Sequence, residues 1–162
     1  VLFRVGCQAG TYIRKLCYDM GQELGVGAHM AELRRTRVAC FDESTICTLH
    51  DVKDAFHYYK EGKDKFLRKL ILPLEKGVEH LPKIWVLDTA VESLSHGRNL
   101  AAPGVSKFEV CLQKGKLVAI MSPHNELLAL GIAEMDVDEL MRADSGIVAE
   151  VHKVFIVHAR KT

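Results

Sequence analysis

The sequence lacks the cysteine spacing of a disulfide scaffold or of a structural zinc site. Its five cysteines lie at positions 7, 17, 40, 47 and 111, so no Cys-x-x-Cys pair occurs and the number is odd. Small secreted scaffolds use even numbers of cysteines, and zinc sites use closely spaced cysteine and histidine pairs. We therefore expect neither kind of site, no bound metal, and a reducing compartment.

Long apolar runs are also absent. No stretch approaches the roughly 18 apolar residues that cross a bilayer, and no signal-peptide pattern opens the sequence. We therefore expect no membrane partner. The first residue is valine rather than methionine, and residues 1–7 alternate like a strand. From this we expect the chain to begin inside a larger protein.

Neither sign of charge predominates. Among 162 residues, 22 are Lys or Arg and 21 are Asp or Glu, so the net charge of +1 does not by itself indicate a nucleic-acid partner. With 48% hydrophobic residues the chain can bury one good core or two small ones. Local charge is uneven, because residues 134–150 are mainly acidic whereas residues 96–116 are mainly basic. The cations of the basic stretch are Arg98, Lys107, Lys114 and Lys116.

A strand followed by a helix is predicted at the N-terminus. Residues 1–7 alternate with period two, which is typical of a strand. Apolar residues then recur at helical spacing over 13–24, with Thr11 as the expected N-cap and glycines 25 and 27 as the stop. On this helix Arg14 falls at the edge of the apolar stripe, and Lys15 falls on the solvated face with Asp19. Periodicity alone favours the interpretation that the Arg14 side chain extends along this apolar edge. The alternative is that Arg14 reaches into a cleft.

The middle of the chain predicts one more strand and two helical stretches. Residues 33–41 read as a strand whose three arginines, at 34, 35 and 37, either track phosphates or guard a solvated edge. Residues 48–60 and 64–80 have helical patterns, the second interrupted at Pro73. The histidines at 50, 57 and 80 are too far apart to form a local metal cluster.

Short strands take over after residues 80–83. Strand-like runs occupy 84–88, 107–113, 117–122, 127–135 and 146–157, with short helices expected at 88–96 and 136–143. Several short strands within about 75 residues predict a small, partly closed barrel over 82–157.

The loop HGRNLAAPGV at 96–105 is the least ordinary stretch of this half. His96 ends a short helix opened by Asp88 and Thr89, Gly97 provides its C-cap, and Pro103 with Gly104 fixes a turn. A rigid loop of this kind exposes backbone groups that can pair with unstacked RNA bases. An ordinary helix-to-strand connection is the alternative, and without further information it is the preferred one.

Two long stretches resemble a known family. GTYIRKLCYDMGQELGVGAHMAELRRTRVACFDE at 10–43 is similar to the C-terminal motif block of the TruB/dyskerin pseudouridine synthases. Residues 50–105, from HDVKDAFHYY to HGRNLAAPGV, resemble the guide-RNA branch of that family, where the catalytic domain runs into a PUA domain. The resemblance implies an α+β fold in which residues 1–81 form the end of a catalytic domain and residues 82–162 a small β-barrel PUA domain.

The resemblance also implies an activity, partners and site residues. Family members flip a uridine out of its stack, and an aspartate attacks the nucleoside so that uracil can rotate and rejoin through carbon 5. Arg14 matches the arginine that pairs with this aspartate, and Tyr12 and Leu33 match residues lining the pocket.

No organic cofactor is needed. The implied partners are a guide RNA, a substrate rRNA or tRNA, and the small core proteins of an H/ACA ribonucleoprotein. In that branch the PUA domain anchors the ACA trinucleotide and the lower stem of the guide. The RNA-binding residues expected here are His96, Gly97, Arg98, Leu100, Ala102, Pro103, Gly104, Lys107, Lys114 and Lys116.

One part of the family pattern is absent. The catalytic aspartate of the family lies in an earlier Arg-Leu-Asp motif, which this sequence does not contain. We therefore expect the chain to correspond to the C-terminal half of an RNA-guided synthase and to be inactive alone. A stand-alone tRNA pseudouridine synthase and an RNA-binding PUA module without catalysis are the alternatives. The chain has no long lysine-rich tail, which favours an archaeal, cytoplasmic protein over a eukaryotic, nucleolar one.

Overall fold

The computed structural model describes residues 1–155, and the chain divides into two compact units with the division between Thr36 and Arg37. Helices and strands occur together, which confirms the α+β class. The predicted division into 1–81 and 82–162 stays a prediction. No helix within residues 1–155 is long and apolar enough to cross a membrane.

The first unit is organised around helix α1, Ile13–Glu23, as periodicity predicts. Tyr12, not Thr11, is its N-cap, and no side chain caps it. The carbonyl of Gly21 accepts the N–H groups of Val26 and Gly27 at 3.2 and 3.0 Å, which folds the chain back on the helix. A Cβ on Gly21 would lie 2.2 Å from the nitrogen of Ala28, so only glycine allows this approach.

The strand predicted at residues 1–7 is wrong. These residues are exposed, and they pair with no strand among residues 1–155. Alternation of apolar residues shows that a segment could form a strand, but a strand needs a partner for its backbone groups.

The strand predicted over residues 33–41 is also wrong. The structure has a small hairpin there, β1 at Arg37–Val38 and β2 at Phe41–Asp42. Ala39, in the turn, has a left-handed backbone with φ 50°. The turn at Ala39 interrupts the predicted strand. The β-branched and apolar residues on either side favour a continuous strand, so the sequence pattern does not indicate this turn.

Two helices follow the hairpin, as predicted. A 3-10 turn at Glu43–Thr45 precedes α2, Leu49–Lys60, which Thr48 and Asp51 open with a reciprocal capping box. Helix α3 covers only Lys65–Leu70, and after Pro73 the predicted helical stretch continues as a 3-10 helix, Leu74–Val78.

A nearly closed, six-stranded sheet forms the rest of the second unit. Its strands are β3 Lys83–Val86, β4 Leu100–Ala101, β5 Val105–Phe108, β6 Leu117–Met121, β7 Leu127–Ala133 and β8 Ile147–Val154, in the order β4-β8-β7-β6-β3-β5. Helix α4, Asp88–Ser95, follows β3, and α5, Val137–Arg142, precedes β8 with Asp136 in a second capping box. Residues 156–157 of the predicted last strand lie outside the described residues.

Two apolar clusters stabilise this barrel. The main core lies inside it and includes Ile84, Leu94, Ile120, Leu128 and Val148, all at most 1% exposed. A second cluster covers the outer face of β6 and β7, where Val78 and Leu81 pack with Ala119, Met121 and Leu127. The inner core closes the barrel, and the outer cluster attaches the preceding 3-10 helix to it.

Candidate nucleic-acid interface

A groove opens on the barrel between α4 and the segment that contains β4. Its volume is about 250 Å³. One wall is the exposed side of α4, and the other is the chain from residue 99 to residue 104. Polar and apolar groups both line it: Thr89, Ala90, Ser93, Leu94, Asn99, Leu100, Ala101, Pro103 and Gly104.

One end of the groove is formed by the C-terminal end of α4. Gly97 has φ +78° and donates its N–H to the carbonyl of Leu94 at 2.9 Å, the C-terminal glycine that the sequence predicts. The next N–H, of Arg98, bonds to the carbonyl of Ser93 at 3.2 Å. His96 Nδ1 lies 2.8 Å from the carbonyl of Glu92. The exposed residues of the predicted loop therefore begin from a fixed helix end.

The wall formed by residues 99–104 is held in place by hydrogen bonds of its own backbone groups. Residues Ala102–Gly104 form a 3-10 turn. The N–H of Ala102 donates to the carbonyl of Gly146, and the carbonyl of Gly104 accepts the N–H of Leu87, each at 2.9 Å. The N–H of Ala102 is therefore not available to a ligand, whereas the carbonyl of Gly104 keeps one lone pair.

Side chains of α4 contribute groups that the sequence analysis did not single out. Thr89 is exposed at the groove. Ser93 donates its hydroxyl to the carbonyl of Ala90 at 3.0 Å, which leaves its oxygen able to accept. Asn99 Oδ1 accepts the N–H of Val151 at 3.0 Å, so the amide nitrogen of Asn99 remains as a donor. Thr89 and Ser93 lie one turn apart on the helix that precedes the loop. This spacing is the sequence signal that could have indicated these groups.

Leu100 lies in a different place from the other predicted RNA-binding residues. Its side chain is 1% exposed and belongs to the core, because β4 pairs with β8 at Ala149. Leu100 therefore borders the groove from the core side and exposes almost none of its side chain to solvent. Alternation along a strand of two residues is too short to be recognised in the sequence.

The three predicted lysines do not form one patch. Lys107 on β5 holds its ammonium 4.3 Å from the ring centre of Trp85, which lies level with Met121 at the end of β6. Lys116 precedes the start of β6, about 16 Å away along the strand direction. Lys114 lies 4.0 Å from Glu139 of α5. The local cationic excess of the sequence is therefore distributed along the barrel.

The predicted pocket residues lie in the first unit. Arg14 is on the first turn of α1, exposed, and makes no hydrogen bond or ion pair with any residue among 1–155. Tyr12 precedes the helix and is 81% exposed, and Leu33 is 57% exposed. Lys15 forms an ion pair with Asp19, which confirms that these two share the solvated face. Arg14, Tyr12 and Leu33 are thus all exposed in this unit, and no printed contact joins Leu33 to the other two.

A helical segment is thus followed by a small barrel domain that carries a groove beside its first helix. Comparison with known families specifies it. Residues 14–79 match the C-terminal domain of tRNA pseudouridylate synthase B, and residues 82–155 match the PUA domain. The chain therefore carries a TruB C-terminal domain followed by a PUA domain.

Relatives with curated names agree with this assignment. The chain is 54% identical to the probable tRNA pseudouridine synthase B of Methanopyrus kandleri over 157 residues, and 54% identical to that of Pyrococcus horikoshii over 158 residues. Each alignment covers 96% of this chain but only 46% and 47% of the relative. The chain thus spans about half the length of the curated relatives it matches.

Solved structures show the same fold. The Nop10-Cbf5 complex of an archaeal box H/ACA sRNP matches with a TM-score of 0.86 and 52% identity, covering 91% of this chain and 48% of that one. An H/ACA RNP bound to a substrate RNA containing 2'-deoxyuridine matches with a TM-score of 0.84 and 50% identity, covering 91% and 47%.

Proposed function

We propose that this chain works as the C-terminal half of an RNA-guided pseudouridine synthase, which converts uridine to pseudouridine in rRNA while the PUA domain anchors the guide. The observation that carries the proposal is the likeness, over 91% of the chain, to the protein in an H/ACA RNP that holds a substrate RNA. The groove beside α4 supports it, because a guide can be held there by its unpaired end.

The proposed reaction assigns Arg14 a role at the target base. An aspartate from the preceding part of the enzyme attacks the ribose of the flipped uridine, and the new bond from the carboxylate replaces the bond to N1. After the uracil has rotated, the ribose forms a bond to C5 and the bond to the carboxylate breaks. The proton lost from C5 is balanced by the one gained at N1. A guanidinium binds a carboxylate through two parallel hydrogen bonds and favours its ionised form, so Arg14 keeps the aspartate charged and oriented. Tyr12 and Leu33 border the base.

The proposed partners follow from the same relatives. Nop10 and Gar1 accompany Cbf5 in the solved complexes, so we propose that small core proteins of this kind assemble with the full enzyme. The named relatives are archaeal, which supports a cytoplasmic archaeal protein.

We further propose that residues 1–162 have no synthase activity alone, because the family's Arg-Leu-Asp motif is not among them. Covalent catalysis needs its nucleophile, and a positioning group does not replace it. The test compares the 162-residue chain with a full-length synthase, each supplied with guide and target RNA and assayed for pseudouridine. Turnover by the 162-residue chain would contradict the proposal.

A second candidate is a stand-alone tRNA pseudouridine synthase, favoured by the names of the curated relatives. The same assay separates the two candidates. A guided enzyme modifies rRNA only when the matching guide is present, whereas a stand-alone enzyme modifies transfer RNA without any guide.

A further inference from the structure

The outer face of the barrel carries the single tryptophan of the chain, which polar residues hold from two sides. Trp85 on β3 is half-buried, and its indole Nε1 donates a hydrogen bond to Oδ1 of Asn125 at 2.8 Å. The ammonium of Lys107, on the neighbouring strand β5, lies 4.3 Å from the centre of the ring. The hydrogen bond thus fixes the edge of the indole and leaves its face to the cation.

Asn125 is itself fixed by the turn between β6 and β7. Its backbone is left-handed, with φ 65°, and its N–H donates to the carbonyl of Ser122 at 3.1 Å. Ser122 is 3% exposed, and its hydroxyl oxygen accepts the N–H groups of His124 and Glu126, each at 3.1 Å. Asparagine is one of the few residues that adopt this conformation readily. The acceptor for the indole of Trp85 therefore has a defined position.

The charge of Lys107 is available to a ligand. Lys107 is exposed and has no acidic partner among residues 1–155. Lys83, two residues before Trp85 on the same strand, instead contacts Glu109 with an Nζ–Oε1 distance of 3.6 Å. An aromatic face orients a cation without neutralising it, whereas a carboxylate does both. Lys107 is therefore placed to contact an anion.

This cation lies near the groove along the same pair of strands. The N–H of Leu87 donates at 2.9 Å to the carbonyl of Gly104, which lines the groove. In the register of β3 and β5, Trp85 lies opposite Lys107, three residues beyond Gly104. At roughly 3.3 Å per residue this separation is about 10 Å. A stacked RNA strand spans it with about three nucleotides, at roughly 3.4 Å each. An RNA end in the groove can thus bring a backbone phosphate to Lys107.

We propose that Lys107 contacts an RNA phosphate beside the groove and that Trp85 and Asn125 are positioning residues for its ammonium. The inference rests on the proposed function, because it needs an RNA end in the groove. A lysine loses side-chain freedom when it is fixed to one phosphate, and the ring of Trp85 restricts that freedom before the RNA binds. Loss of the ring, or of its bond to Asn125, therefore weakens the phosphate contact although neither residue touches RNA.

The test measures the affinity of the 162-residue chain for an RNA hairpin with an ACA end at several salt concentrations. Lys107→Ala should weaken binding by up to about fivefold, the upper range for an exposed ion pair. It should also reduce the slope of log affinity against log salt by about 0.7–0.9. Lys83→Ala is the matched control, because it removes the same charge from the same face but from a lysine paired with Glu109. It should change affinity and slope less than Lys107→Ala does.

Two further variants test the positioning. Trp85→Leu keeps an apolar side chain on the outer cluster but removes the ring, and should weaken binding by about two- to fivefold, the range of an exposed cation–π contact. In the Trp85→Leu background, Lys107→Ala should then weaken binding by less than about twofold, since the two residues act through one contact. Trp85→Phe retains a ring face and should restore the larger effect. Asn125→Gly keeps the left-handed turn, because glycine adopts positive φ readily, and should weaken binding in the same direction as Trp85→Leu.

The outcomes separate this inference from the proposed function. If the unmodified chain binds neither the ACA-ended hairpin nor a scrambled one, both are overturned. Binding by the unmodified chain with the same affinity and slope in Lys107→Ala overturns the inference alone. Additive effects of Trp85→Leu and Lys107→Ala do so as well, because the tryptophan would then be merely structural. If a melting curve shows that Trp85→Leu does not fold, Asn125→Gly replaces it in the same cycle with Lys107→Ala, and additivity again refutes the positioning role.

Discussion

Replacing Gly104 by valine is expected to abolish recognition of a specific RNA end without abolishing RNA binding. A Cβ at this position would lie 3.0 Å from the Cβ of Ala90 and 3.3 Å from Cδ1 of Leu100. Carbon atoms pack at about 3.5–4.0 Å, so Ala90 on the opposite wall and Leu100 on the same wall must each give by a few tenths of an ångström, even before the valine methyl groups are placed.

The size of the effect follows from the geometry of hydrogen bonds. This displacement, increased by the two valine methyl groups, moves donors and acceptors of the groove out of the 2.7–3.2 Å range that strong bonds require. If two base-reading bonds are lost at about 1 kcal/mol each, discrimination falls by roughly 30-fold. Overpacking also costs about 1–3 kcal/mol of folding stability. The groove should therefore lose its specificity while the barrel remains folded.

The assay titrates the 162-residue chain with two RNAs, one with an ACA end and one with a scrambled end, at several salt concentrations. The valine variant should bind both with the affinity that the unmodified chain has for the scrambled RNA. Gly6→Val is the matched control, because no heavy atom lies within 4 Å of a Cβ at Gly6. A melting curve checks folding. The reasoning is refuted if the unmodified chain binds both ends equally, or if Gly104→Val still discriminates.

Three other predictions concern Arg14, the lysines of the barrel and Asp51. In the full enzyme, Arg14→Ala should lower the rate of pseudouridine formation far more than guide affinity, whereas Lys15→Ala should change neither; an equal fall in affinity would make Arg14 a phosphate anchor. Lys116→Ala should reduce the slope of log affinity against log salt by about 0.7–0.9 if Lys116 contacts one phosphate, and Lys114→Ala should reduce it less because Lys114 is near Glu139; identical slopes in Lys116→Ala and the unmodified chain would exclude that contact. Hydrogen bonds from the side chain and then the backbone of Thr48 hold the pKa of Asp51 below its usual 3.8. Because the pKa is lower in the folded state, this stabilisation of α2 is present above pH 3.8 and is lost as the pH falls through the folded-state value. Asp51→Asn should reduce this acid dependence in a titration followed by circular dichroism, and an unchanged titration would contradict it.

Local patterns in the sequence predicted most of the regular elements. Helices α1, α2, α4 and α5 follow apolar spacing, and β6 and β7 follow runs of apolar residues between turn signals. Both kinds of pattern depend on neighbours within a few residues, so a single sequence is enough to predict these helices and strands. The two incorrect strands fail for the opposite reason: residues 1–7 have no partner strand among the described residues, and Ala39 adopts a turn that nothing in its identity requires.

The candidate groove was predicted only in part. Glycines 97 and 104 were recognised because the backbone geometry they allow is specific to glycine or to tight turns. The α4 wall, with Thr89 and Ser93, was not, because their exposure to the groove depends on how the helix sits against β4. The lysines were grouped by their closeness along the chain, whereas strand register places Lys107 and Lys116 at opposite ends of β6.

The shape of the groove is set from a distant part of the chain. Strand β4 has two residues, which is too short to hold a loop by itself. Its position comes from β8, since Asn99 accepts the N–H of Val151 on one side and Ala102 donates to Gly146 on the other. These bonds span 52 and 44 residues of sequence respectively. The shape of the groove therefore depends on hydrogen bonds to distant parts of the folded barrel, and we expect an isolated peptide of residues 96–105 not to reproduce it.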